Sequence, residues 1–271
     1  MKFYEKLAAA WKSSNSLVCV GLDPDMGKLP PCLQGEKYPV FRFNKEIIDA
    51  TKDHVCCYKP QAACYAGQNL DDQLLMTFEY LAETAPHIPV ILDAKRADIG
   101  NTSKMYAKEA FERYKADAVT VNPYMGMDAL QPFLDYEEKG IVVLCRTSNK
   151  GAKEIQEMKL ADGRELYKYV ASLISGPWNY NKNTMLVAGA TFPEELGEIR
   201  QIVGDTPLLV PGIGAQGGDL EGVLKNGLTS DKTGLVINSS RGVIYASNGT
   251  DFAEKAGEEA LKLKSAINAF R

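Results

Sequence analysis

Histidine is nearly absent: His54 and His87 are the only two among 271 residues. Each precedes an apolar run rather than following one. If those runs are parallel strands, both imidazoles lie at the N-terminal end of the sheet, whereas ligand chemistry in such folds gathers at the C-terminal end. This argues against a Ser-His-Asp triad and a histidine-rich zinc site, and leaves catalysis to Lys, Asp, Arg and backbone groups. Long apolar runs are missing too. No segment approaches the ~18 apolar residues that suggest a membrane span, and the opening Met1-Lys2-Phe3-Tyr4-Glu5-Lys6 lacks the apolar core of a secretory signal. The six cysteines (Cys19, Cys32, Cys56, Cys57, Cys64, Cys145) have no C-x-x-C spacing. Cys19, Cys56, Cys57 and Cys145 fall in apolar runs, which reads as buried reduced thiols in a cytoplasmic protein. Nor is there an excess of positive charge. Lys and Arg number 31 against 35 Asp and Glu, a formal net charge of −4, which argues against non-specific nucleic-acid binding.

What remains is an ordinary globular composition, 45% hydrophobic and 24% charged. Short apolar runs at Leu17–Leu22, Val55–Tyr58, Val90–Leu92, Ala118–Val121, Ile141–Cys145, Met185–Ala188, Leu208–Val210 and Leu235–Ile237 read as strands buried on both faces. Amphipathic stretches alternate with them, including Phe41–Lys52, Asp71–Thr84, Ser103–Tyr114, Leu166–Ser175, Pro193–Val203 and Phe252–Phe270. About eight βα units at this length point to an α/β fold, a (β/α)₈ TIM barrel forming one domain over 1–271. An extra N-terminal helix over Phe3–Lys12 would precede it. An open doubly wound sheet is the alternative. Pro24–Pro39 and Thr147–Gly163 read as long loops at the C-terminal mouth.

The strand-to-helix junctions carry the polar residues. They read Gly21-Leu22-Asp23-Pro24-Asp25, Tyr58-Lys59-Pro60-Gln61, Asp93-Ala94-Lys95-Arg96-Ala97-Asp98 and Arg146-Thr147-Ser148-Asn149. Any one such charge is commonly a solvated loop residue; several on one barrel mouth are not. Asp93 and Lys95, two apart on a strand, would project to the same side. Asp98 could cap the next helix, although Asn101 or Thr102 could do so equally well. A lysine between two carboxylates stays protonated, which suits a proton donor and electrostatic stabiliser better than a Schiff-base nucleophile. Pro211-Gly212-Ile213-Gly214-Ala215-Gln216-Gly217-Gly218-Asp219 and Asn238-Ser239-Ser240-Arg241-Gly242 follow the last two strands, where barrels frequently build phosphate sites.

These segments resemble the orotidine 5′-phosphate decarboxylase family, in its longer bacterial branch. Asp93-Ala94-Lys95-Arg96-Ala97-Asp98-Ile99 matches the D-x-K-x-x-D-I motif, Pro211–Asp219 the P-G-[IV]-G-A-Q-G-G-D loop, and Ser240-Arg241-Gly242 the phosphate-binding arginine segment. The resemblance implies release of CO₂ from orotidine 5′-monophosphate to give UMP, with no metal and no cofactor. It implies Lys95 as proton donor to C6, Asp93 facing the departing carboxylate, and Lys59 holding Asp93 and the ribose. Asp23 would bind ribose hydroxyls, and Ser148 the pyrimidine, with Thr147 close enough to compete for that role. Gln216 would bridge base and phosphate, Arg241 would clamp the phosphate, and Pro211 and Ser240 would line the same pocket. It further implies a homodimer in which Asp98 and Thr102 serve the neighbouring subunit's site.

Three other readings remain. A metal-dependent sugar-phosphate lyase of the same suprafamily would want a carboxylate where Lys59 stands. A Schiff-base aldolase would use Lys59 or Lys95, and a silent barrel would bind nucleotide without turnover.

Overall fold

The computed structural model describes residues 1–213 and 218–271. Eight parallel strands, each followed by helical structure, form a barrel: β1 (Val18–Leu22), β2 (Cys57–Pro60), β3 (Ile91–Arg96), β4 (Ala118–Val121), β5 (Gly140–Arg146), β6 (Thr184–Ala188), β7 (Leu208–Pro211) and β8 (Leu235–Ser239). The order β2-β1-β8-β7-β6-β5-β4-β3 is a single wound sheet. Its two ends meet through parallel bridges at Tyr58–Val90 and Gln61–Asp93 and a hydrogen bond from the Tyr58 N–H to the Pro89 carbonyl. The barrel is thus nearly closed, and the open doubly wound alternative is set aside.

The eight apolar runs each overlap a strand, but several strands outrun them. β2 continues through Lys59 and Pro60, β3 through Asp93 to Arg96, and β8 through Asn238 and Ser239. The reason is the barrel itself. At the C-terminal end the interior is a polar cavity, so strand geometry persists after the apolar pattern stops.

The helix Phe3–Ser14 precedes β1 and buries Phe3, Leu7, Ala10 and Trp11. Phe3 packs on Gly140 at the start of β5, and the Tyr4 hydroxyl donates to the Thr184 carbonyl at the start of β6. This helix therefore covers the end of the barrel opposite the polar junctions. The last helix, Phe252–Asn268, packs on Pro39–Thr51, with Phe43 stacked between Tyr245 and Phe252 at 5.7 and 5.3 Å. Losing so buried an aromatic ring costs about 3–5 kcal/mol. The predicted helix over Ser103–Tyr114 begins earlier, at Gly100, and ends in a π turn over Glu109–Arg113. Both long mouth loops contain short helical turns, at Met26–Lys28 and Pro31–Leu33 in the first and at Lys150–Ala152 and Lys153–Gln156 in the second. Among the described residues, no helix is long and apolar enough to cross a membrane. All six cysteines are free; Cys19, Cys56, Cys57 and Cys145 are buried, as read from their apolar runs.

Candidate active site

A cavity of about 550 Å³ opens at the C-terminal ends of the strands. Lys59, Asp93 and Lys95 line it on one side, Thr147 and Ser148 on another, and Ser240 and Arg241 on a third. Asp23 and Pro211 also face it. Residues from six separate strand ends are therefore brought to one space, as the convergence of parallel strands requires.

Its charged centre is Asp93, almost fully buried at the middle of β3. One oxygen accepts from Lys59 Nζ at 2.9 Å; the other accepts from Lys95 Nζ at 2.6 Å and from the Thr120 hydroxyl at 2.8 Å. Burial works against ionisation of this carboxyl, but Lys59 and Lys95 outweigh it and hold Asp93 well below the usual carboxylate range. Lys59 is the mirror case. Burial disfavours its ammonium, yet the carboxylates of Asp23, 3.9 Å away, and Asp93 raise it well above an ordinary lysine. Both groups are thus fixed in their charged forms. Asp23 is less complete. Its Oδ1 is buried without a hydrogen-bond partner among the described residues. A buried acceptor left without a donor costs about 1–3 kcal/mol, so this oxygen is suited to a hydroxyl that a ligand brings.

Lys95 reaches Asp93 by a different route from the simple alternation of a strand. The pairing of β3 with β4 slips between Leu92 and Arg96, and Lys95 sits in this bulge with φ +49°. A left-handed lysine costs about 1–2 kcal/mol of backbone energy. Thr120 on β4 offsets it: its hydroxyl oxygen accepts from the N–H groups of both Ala94 and Lys95 at 2.9 Å. The side chain so aimed is 47% exposed, with its amine at the carboxylate. Thr120 escaped the sequence reading because a lone threonine inside the apolar run Ala118–Val121 looks like strand filler.

Asp98 and Thr102 lie apart from this centre. Asp98 is half-buried and accepts from the Ile99 N–H, and neither residue lines the cavity. Within one chain, therefore, Lys95 is paired with one carboxylate and not two, because the chain turns outward after Arg96. The first turn of the helix that follows has no side-chain cap, so Asp98, Asn101 and Thr102 are all free of that duty.

Two serines approach the cavity because glycines make room for them. A β-carbon on Gly21 would stand 1.9 Å from Ser240 Oγ, and one on Gly189 would stand 2.9 Å from Ser148 Cα. Ser240 also accepts from Asn238 Nδ2 at 3.3 Å. Arg241 opens a short turn over Arg241–Ile244, is exposed, and makes no ion pair among the described residues. Gln216, with Gly214, Ala215 and Gly217, lies outside the described residues; Ile213 and Gly218 on either side of them form a parallel bridge. Arg146, grouped with the mouth residues in sequence, does not line the cavity but is buried in ion pairs beside it. Asp25 caps the turn that follows it through the Gly27 N–H.

Comparisons with known proteins identify the fold and the family. A protein of Ralstonia pickettii (strain 12J) described as orotidine 5′-phosphate decarboxylase is 54% identical over 271 residues, covering all of both chains. One of Cellvibrio japonicus (strain Ueda107), with the same description, is 54% identical over 273 residues and also covers both chains fully. The solved structure of Leishmania donovani OMP decarboxylase superposes with a TM-score of 0.84 at 38% identity, covering 100% of this chain and 98% of that one. The family model for orotidine 5′-phosphate decarboxylase / HUMPS matches residues 16–256. On these grounds, and with the Asp-Lys array at the mouth of an eight-stranded barrel, the chain belongs to the orotidine 5′-phosphate decarboxylase / HUMPS family.

Proposed function

We propose that this protein decarboxylates orotidine 5′-monophosphate to UMP, and that it does so with side-chain charge alone. The observation that carries the reading is the Lys59–Asp93–Lys95 array lining a cavity that also reaches Arg241. Loss of CO₂ leaves an electron pair on C6 with no conjugated sink, so the site must stabilise a carbanion electrostatically. Asp93, held ionised by its lysines, lies where it would repel the departing carboxylate. The C6–carboxylate bond breaks, its electron pair stays on C6, and the Lys95 ammonium transfers a proton to that carbon. Solvent reaching the half-exposed Lys95 side chain then restores the proton, so one proton is consumed per CO₂ released.

The other roles follow the cavity outward. Asp23, whose Oδ1 has no hydrogen-bond donor among the described residues, takes ribose hydroxyls, together with Lys59. Ser148 reads the pyrimidine edge, and Arg241 with Ser240 and Pro211 holds the phosphate, with Gln216 between base and phosphate. Gripping the phosphate far from C6 supplies binding energy for excluding water around Lys95. A divalent cation fits poorly here, since the carboxylates it would need are those of Asp23 and Asp93, and Lys59 lies between them. We further read the chain as one domain over 1–271 that works in the cytoplasm as a homodimer, with Asp98 and Thr102 completing the partner's site. Their position outside their own chain's cavity supports that arrangement.

The test is loss of orotidine monophosphate absorbance on addition of purified protein in the presence of EDTA. Full turnover with UMP as product supports the reading. Activity abolished by the chelator and restored by Mg²⁺ would assign the protein to the metal-dependent branch. UMP binding without turnover would make it a nucleotide-binding barrel.

A further inference from the structure

The end of β5 holds a fully buried arginine that the proposed reaction does not use. Arg146 keeps 1% of its side chain exposed, yet no part of it lines the cavity. Its guanidinium pairs with Glu157 at 2.6 Å and with Glu195, and lies 4.2 Å from the centre of the Phe192 ring. Glu157 belongs to the segment after β5, whereas Phe192 and Glu195 belong to the segment after β6. One side chain thus ties two mouth segments to the strand that carries the pyrimidine-side residues. A buried guanidinium with its carboxylates is strongly destabilising to break, so this junction is rigid.

The junction extends to the cavity through Gln156. Its Oε1 accepts from Arg146 at 3.5 Å and from the Thr147 N–H at 2.9 Å, while its Nε2 donates to the Thr147 hydroxyl at 2.9 Å. That hydroxyl donates in turn to Asn149 Oδ1 at 2.6 Å. On the other side, Ser148 is confined by Gly189, whose N–H donates to the Arg146 carbonyl at 2.8 Å, and by Thr191, whose hydroxyl meets the Ser148 carbonyl at 3.4 Å. The Thr147–Ser148 pair is therefore clamped from both sides.

We propose that Arg146 and Gln156 are positioning residues for base recognition: they hold Thr147 and Ser148 at the edge of the cavity where the pyrimidine is read. The inference rests on the decarboxylase reading and adds to it the residues that set the choice of base. It differs from a purely structural role in one respect. Loosening the clamp harms ligands that carry a base and spares those that lack one.

The experiment is a binding titration by ligand-observed NMR with two probes, UMP and ribose 5-phosphate, on wild type, Gln156→Leu and Gln156→Glu. Gln156 is half-buried on a loop, so its replacement leaves the barrel intact, and thermal unfolding checks this. Gln156→Leu should weaken UMP about tenfold, or about 1.4 kcal/mol, and leave ribose 5-phosphate within about twofold. Gln156→Glu keeps the acceptor for Arg146 and the Thr147 N–H and should recover most of the loss. In turnover, Gln156→Leu should raise KM more than it lowers kcat, the pattern of binding lost equally from ground and transition states. Equal weakening of both probes, or no weakening of either, overturns the proposal while leaving the decarboxylase reading standing. Wild-type protein that binds no UMP overturns both.

Discussion

Thr120→Val is the substitution that most sharply separates shape from hydrogen bonding at this site. Valine matches threonine in volume and β-branching, so the strand and its packing are preserved. Three hydrogen bonds are lost: the one to Asp93 Oδ1 at 2.8 Å and those from the Ala94 and Lys95 N–H groups at 2.9 Å. A hydrogen bond to a charged group contributes about 1.5–3 kcal/mol, and a buried N–H without a partner costs about 1–3 kcal/mol. Allowing for relaxation of the bulge, the total loss is about 3–5 kcal/mol. The left-handed backbone at Lys95 loses its support at the same time, so the amine is no longer aimed at Asp93. Urea unfolding should give the stability loss, and turnover should fall by about 10²-fold, the scale of a displaced catalytic group. Thr120→Ser, which keeps the hydroxyl, should recover most of both. A loss under about 1 kcal/mol with unchanged turnover would refute the claim that Thr120 holds the bulge.

Other outcomes follow from the same geometry. Because Asp93 has a depressed carboxyl pKa, its ionisation contributes stability above the unfolded value near about pH 4, and this contribution is lost as pH falls through the folded value. The stability gap between wild type and Asp93→Asn should therefore be full at neutral pH and shrink below about pH 4; a gap that widens toward acid contradicts the assignment. Arg241→Met should weaken UMP about 10–100-fold while leaving uridine unaffected, since charge-assisted hydrogen bonds contribute about 1.5–3 kcal/mol; equal loss for both ligands removes Arg241 from the phosphate. Mixing Lys95→Ala and Asp98→Ala chains under exchange conditions should restore activity, because one site per hybrid dimer regains both residues. Continued inactivity after confirmed exchange counts against a contribution in trans.

The barrel was readable in the sequence because interior strands leave continuous apolar runs and helices leave amphipathic ones. Leu166–Ser175 and Pro193–Val203 begin and end where their patterns do. The strand ends were harder. Lys59 and Asp93 have the polarity of loop residues, but a barrel mouth is the one place where a strand interior is polar. The site residues were readable as residue types at junctions; their geometry was not. The bulge at Lys95 depends on Thr120 from another strand, and no local pattern encodes such a partnership. Arg146 illustrates the opposite error. Its place beside Thr147 suggested a mouth residue, while the carboxylates that bury it, Glu157 and Glu195, lie 11 and 49 positions away. The turns at Lys153–Gln156 and Arg241–Ile244 are too short to leave any periodic signal.

The central claim is that the Lys95 ammonium, held against Asp93, supplies the proton that C6 receives. Lys95→Ala tests it most directly, with UMP affinity and turnover of orotidine monophosphate measured on the same preparation. UMP binding within a few fold of wild type, with turnover reduced by about 10³-fold or more, is the predicted result. Turnover near that of wild type would contradict it.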